Sequence, residues 1–213
     1  MRTRKKKWAA GELAGNPRIL RDENLLGRMR EVFGNDNPIH LEVGCGKGRF
    51  ITEMSRRHPE INFIALEREP TILAAAARRA EESGANSLVF MLADVDNLEE
   101  YFQLDNITRL YINFCDPWPR KKKWARRRLT HSNYLAKYEA LRIPELFFKT
   151  DNRILFEFSL ESFSRQKWLV QNVSLDLHRS GMEDNIMTEY EEKFSAHGPI
   201  YRLEAYPPFA HTI

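Results

Sequence analysis

Short apolar runs alternate along this chain with longer stretches whose apolar positions recur every three to four residues. The runs predict strands over 39–43, 61–66, 88–93, 109–114 and 146–150. The stretches between them predict helices over 47–57, 70–83, 97–102, 130–142 and 153–167. Ahead of these, Leu25, Leu26, Met29, Val32 and Phe33 give residues 21–33 a helical spacing that ends near Gly34. At the far end, 170–178 and 200–206 alternate apolar and polar residues and predict a closing antiparallel pair. Regular alternation of strand and helix implies an α/β fold: a mostly parallel, seven-stranded sheet with helices on both faces. Residues 1–16 read as a flexible basic arm, with Trp8 either its anchor or packed on the core. Residues 17–213 read as a single domain, without internal repeats or low-complexity segments.

The first predicted strand runs into a glycine loop. Residues 39–50 are I-H-L-E-V-G-C-G-K-G-R-F. Gly44, Gly46 and Gly48 would turn the chain tightly into a helix and let a bulky ligand approach the main chain. The G-x-G-x-G spacing departs from the dinucleotide fingerprint. With Glu42 ahead of it, the segment resembles the S-adenosylmethionine loop of Rossmann-like methyltransferases; a plain glycine-rich turn is the alternative. Glu67, 19 residues after Gly48, ends the second strand, where it could accept hydrogen bonds from ribose hydroxyls or stand as a solvated carboxylate. Asp94 follows the third strand and could reach an adenine amino group or cap the next helix. Ligands of such sheets bind at the carboxyl ends of the strands, where these acids fall.

Net charge is only +3, but its distribution is uneven. Arg2, Arg4, Lys5, Lys6 and Lys7 crowd the first seven residues. Arg120, Lys121, Lys122, Lys123, Arg126, Arg127 and Arg128 crowd positions 120–128, and the remainder of the chain is acidic. Two cationic patches on an acidic body suggest a partner with many phosphates; a solubilising tail and a solvated loop are the alternatives. No stretch has the apolar length of a membrane span, and no apolar signal core follows the basic start. Two cysteines without paired spacing, and six scattered histidines, argue against zinc or disulfides and fit a reducing cytoplasm.

The second basic block directly follows Cys115-Asp116-Pro117-Trp118-Pro119, at the end of the fourth strand. Prolines on both sides of a tryptophan stiffen the loop. Trp118 could stack a base, and Asp116 could accept from base N–H groups or face a developing positive charge. A rigid turn with a packed tryptophan is the alternative. Asp151 ends the fifth strand, where it could reach the same edge or cap the helix from Arg153. Residues 188–194, T-E-Y-E-E-K-F, suggest an acidic lid or a surface helix pairing Tyr190 with Phe194.

Four segments, E-V-G-C-G-K-G-R-F at 42–50, N-F-C-D-P-W-P at 113–119, F-K-T-D-N at 148–152 and T-E-Y-E at 188–191, stand in the order and spacing of the bacterial tRNA (guanine-N7)-methyltransferases, which the chain resembles from about residue 17 to 206. The resemblance implies a class I, Rossmann-like methyltransferase. It implies that Glu42, Gly44, Gly46, Gly48, Glu67, Asp94 and Asp116 contact S-adenosylmethionine, with Asp116 the catalytic candidate. Arg120, Asp151, Thr188, Glu189, Tyr190 and Glu191 would contact the substrate. Lys122, Lys123, Trp124, Arg126 and Arg127 would bind RNA. Two departures stand out. The family commonly has lysine where this chain has Arg120, a planar fork instead of a point charge. The segment 141–145 lacks the glycine-bearing turn expected before the fifth strand.

The implied reaction is methyl transfer to N7 of a guanine in tRNA, at nucleotide 46 of the variable loop. Guanine N7 offers a free lone pair, so no general base is required, and no metal is expected. The rival readings are methylation of an exocyclic base amine and a non-catalytic RNA-binding protein with a relic cofactor fold. The expected assembly is a monomer or homodimer, cytoplasmic and unattached to membrane.

Overall fold

The computed structural model describes residues 7–20, 28–102, 107–119 and 121–211. Its contacts gather into two compact units, Met1–Ile107 with Ile186–Glu189, and Thr108–Asn185 with Tyr190–Ile213.

The first unit runs α1 (Lys7–Gly15), β1 (Ile19–Leu20), α2 (Met29–Phe33), β2 (Ile39–Val43), α3 (Arg49–Arg57), β3 (Asn62–Glu67), α4 (Pro70–Ser83), β4 (Leu88–Leu92) and α5 (Leu98–Tyr101). Its strands lie in the order β1-β4-β3-β2, all parallel. The register pairs Val43 with Leu66 and Glu67 with Leu92, so the three predicted strands end at one edge. Every residue of β2 is buried, His40 and Glu42 included, as a strand covered on both faces requires. Helix α4 matches the expected 70–83 because its ends are written locally: Pro70 stands at its first position and Gly84 caps it in the left-handed region. Its buried face is small, with Ala74, Ala76, Ala77 and Ala80, and lets the glycine loop approach closely.

The second unit runs β5 (Ile107–Asn113), α6 (Lys122–Ala125), α7 (Ser132–Ala140), β6 (Leu146–Thr150), α8 (Arg153–Arg165), β7 (Leu169–Ser174), α9 (Glu189–Phe194) and β8 (Tyr201–Tyr206), the edge residues Ile107 and Glu189 counting with the first unit. The strand order is β5-β6-β8-β7; β5 and β6 are parallel, and β8 runs antiparallel to both β6 and β7. Its core holds Leu110, Ile112, Leu135, Tyr138, Phe148, Phe156, Phe163 and Leu203.

The outcome differs from expectation at several places. There are eight strands among the described residues: β1 is too short to show a period, and it is revealed only by pairing Ile19 and Leu20 with Phe90 and Met91. Of the expected flexible arm, residues 7–15 are helical, with Glu12 paired with Arg78 at 2.9 Å and the Arg78 guanidinium 4.5 Å over the Trp8 ring, while 1–6 lie outside the described residues. Of the expected helix 21–33, α2 covers the last turns, and 21–27 lie outside the described residues. The segment before β6 makes its turn without glycine, since Arg142 itself takes a left-handed φ of 58°.

Candidate functional site

In the first unit the three loop glycines do two different jobs. All have left-handed φ, at 71°, 57° and 74° for Gly44, Gly46 and Gly48. A Cβ at Gly44 or Gly46 would meet only open space. At Gly48 it would stand 2.9 Å from the Cβ of Ala76 on α4. The first two glycines thus leave the main chain approachable, and the third lets α3 and α4 pack. The loop is tied to β3, with the N–H groups of Gly44 and Cys45 both donating to the Leu66 carbonyl at 2.9 Å.

Glu67 binds the loop as well. One carboxylate oxygen accepts from Gly46 N–H at 3.1 Å and the other from Glu69 N–H at 2.9 Å. Each oxygen has a second lone pair, so the carboxylate can still receive a hydroxyl. Burial holds the Glu67 carboxyl above its ordinary range, against the lowering effect of those N–H donors. Glu42 is almost wholly buried within β2. Asp94 is exposed and caps the turn after β4 by accepting from Asp96 N–H at 3.1 Å, so its capping role is realised. Burial, with Glu42, Glu67 and Glu189 nearby, pushes the Cys45 thiol up and keeps it neutral. Thr188 and Glu189 also belong to this unit, where Glu189 pairs with Arg79 at 2.9 Å. An approachable loop, a strand-end carboxylate and a neutral buried thiol fit an adenosyl ligand.

In the second unit β5 ends at Asn113, and the chain then bends sharply. Phe114 and Trp118 both adopt left-handed φ, 52° and 42°, which is unusual for aromatic residues. Asp116 is exposed between them. Arg128 holds this shape. It is 2% exposed, and its guanidinium donates to the carbonyls of Pro117 and Trp118 at 2.8 Å each. That cation, counted in the basic block, is therefore a brace for the loop.

The rest of the block is a short helix and turn. Trp124 of α6 stacks on Trp118 with centroids 5.5 Å apart and planes 4° from parallel. Arg127 lies 4.8 Å and 4.9 Å from the two ring centroids, and Lys123, Arg126 and Arg127 are exposed. Arg120 lies outside the described residues. Burial first, and then Asp116, push the Cys115 thiol up to about 12, so it offers no thiolate near neutrality.

Asp151 is exposed and is not the cap of α8; Asn152 is, accepting from Leu155 N–H at 2.9 Å. Asp151 instead accepts from the Tyr190 hydroxyl at 3.0 Å. Tyr190 packs against Phe114 and Phe194, with centroids at 5.2 Å and 4.3 Å, so the surface-helix alternative for 188–194 is realised. Glu191 is wholly buried and paired with Lys149 at 2.8 Å. The roles of Arg128 and Lys149 were missed in the sequence. The signal for Lys149 was present: a lysine inside the otherwise apolar run of β6.

Among the described residues no group of histidines, cysteines and acids could hold a metal ion, and no helix is long and apolar enough to cross a membrane. Residues 36–203 match a family model described as "Putative methyltransferase". The chain is 50% identical over 211 residues to the tRNA (guanine-N(7)-)-methyltransferase of Listeria monocytogenes serotype 4b, covering 96% of this chain and 98% of that one. It is 48% identical over 209 residues to the protein of the same name from Bacillus subtilis, with the same coverage. Among solved structures it is similar to an antibiotic-related methyltransferase, with TM-score 0.61 and 15% identity over 90% of this chain and 96% of that one. A 16S rRNA (adenine(1408)-N(1))-methyltransferase variant from Catenulisporales acidiphilia, with cosubstrate SAM, gives TM-score 0.60 and 15% identity over 88% and 92%. These distant likenesses show a Rossmann-like methyltransferase fold.

Proposed function

Because the chain belongs to the tRNA (guanine-N(7)-)-methyltransferase family, we propose that it transfers the methyl group of S-adenosylmethionine to N7 of a guanine in tRNA. The observation that carries this reading is likeness at close to half of all positions over nearly the full length of both chains. The variable-loop guanine at nucleotide 46 is the proposed target, and residues 17–213 are proposed to work as one methyltransferase domain.

S-adenosylmethionine supplies an electrophilic methyl group on a sulfonium. Guanine N7 carries a free lone pair, so no residue would have to take a proton, and positive charge would come to rest on the base. The residues therefore have to position and compensate charge. Gly44 and Gly46 would admit the ligand to the main chain, and Glu42, Glu67 and Asp94 would hold its polar groups. Asp116, on the loop braced by Arg128, is the proposed catalytic carboxylate, facing the cation formed on guanine. Trp118 offers a ring face to the base, which has to leave its stack to be reached. Lys123, Arg126 and Arg127, with Arg120 and Lys122, bind phosphates. Asp151, Thr188, Glu189 and Tyr190 stand as proposed substrate contacts.

Incubation with labelled S-adenosylmethionine and unmodified tRNA, followed by mass spectrometry of the nucleosides, tests the reading. The expected product is 7-methylguanosine. An N-methylated exocyclic amine would keep fold and cofactor but overturn the target atom. Cofactor binding without transfer to RNA would overturn the substrate.

A further inference from the structure

The second unit contains a buried ion pair that the reaction chemistry does not use. Lys149 is the penultimate residue of β6, and its ammonium donates to Glu191 at 2.8 Å and to the Asn185 side-chain oxygen at 3.2 Å. Asn185 in turn donates to the second Glu191 oxygen at 2.7 Å, and His178 Nε2 lies 3.1 Å from that same oxygen. Three separate segments thus converge on one carboxylate that has no exposure at all. Burying two charges adds little net stability, since desolvation offsets their attraction. What such a pair does supply is a fixed geometry, because neither charge can move without losing its compensation.

The residues beside the pair lie on the functional surface. Tyr190 precedes Glu191, is 42% exposed and donates to Asp151. Asp151 follows Lys149 by two residues on the same strand end. Tyr190 also packs on Phe114, which leads into Cys115 and Asp116. We propose that Lys149 is a positioning residue for methyl transfer: its pairing with Glu191 locks the Tyr190–Phe194 part of α9 so that Tyr190 orients Asp151 and supports the start of the Asp116 loop. Glu191 is then the anchor of this arrangement, not a substrate contact. The inference rests on the reading of the protein as a tRNA methyltransferase.

The test is a double-mutant cycle of Lys149→Met and Glu191→Gln in the full chain, with kcat and KM for tRNA, S-adenosylmethionine affinity by calorimetry, and amide exchange over 190–194. Each single variant is expected to lower kcat about tenfold or more, leaving KM for tRNA and cofactor affinity within about twofold, because misplacement and not lost contact is the defect. The double variant should be no worse than the worse single, and exchange over 190–194 should speed up in all three. Multiplying effects, a raised KM for tRNA at unchanged kcat, or unaltered exchange would overturn the proposal. If a single variant fails to fold, the pair Lys149→Met/Glu191→Leu and the milder Asn185→Ala carry the same readouts and the same two outcomes. Wild-type turnover alone tests the methyltransferase reading, whereas amide exchange tests the lock whatever the reaction proves to be.

Discussion

The glycine loop shows how one residue type serves two ends a few positions apart. Gly48→Ala forces a left-handed φ and a 2.9 Å contact with Ala76, so it should destabilise the fold by about 1–3 kcal/mol, read as a lowered denaturation midpoint. Gly46→Ala meets no neighbour but shares the left-handed φ, so it should cost less stability than Gly48→Ala and weaken S-adenosylmethionine binding in calorimetry; the reverse pattern would refute this division. Asp116→Ala should abolish turnover with circular dichroism unchanged, and retained turnover would remove Asp116 from the mechanism. Glu67 has a pH signature. Its folded-state pKa lies above the ordinary 4.5, so the folded protein holds that proton to higher pH than the unfolded chain. Stability from this group is fully present below 4.5 and declines as pH rises through the folded value. Glu67→Gln should lack that decline, and parallel stability curves for variant and wild type would contradict it.

At the scale of elements, the tight D-P-W-P turn depends on a residue outside it. Arg128 spans two carbonyls of the loop, and charged hydrogen bonds of this kind are worth about 1.5–3 kcal/mol each. Arg128→Ala should therefore reduce kcat far more than tRNA affinity. Arg127→Ala should do the opposite, weakening binding about uniformly and lowering the salt slope by about one. Equal effects of the two variants in binding titrations would erase the distinction between brace and phosphate contact. The element boundaries show where local signals suffice. Helix α4 is written by Pro70 and Gly84, and β2 and β6 by apolar runs with clear ends. By contrast β7 stops at Ser174, four residues short of the expected end, after Asn172 adopts φ of 48° and the register with β8 shifts. A bulge of that kind depends on the partner strand and leaves no mark in alternation.

At the scale of the molecule, the near-neutral total of +3 conceals a segregated surface. Exposed Lys123, Arg126 and Arg127 share one short segment with the stacked Trp118 and Trp124. Affinity for tRNA should fall steeply as salt is raised from about 50 to 200 mM, as counterion release requires. A flat dependence in filter binding would exclude the basic block as the main contact.

Local period, glycine's backbone freedom and residue order were enough for the α/β class, the seven strands in their chain order, the glycine loop and the acids that follow the strands. Tertiary structure alone decided which groups have partners. It set Arg128 against the carbonyls of Pro117 and Trp118, and it buried Glu191 against Lys149. It also added β1, whose two residues are a strand only because Phe90 and Met91 pair with them. Burial and pairing join residues far apart in the chain, and no pattern of neighbouring positions encodes them.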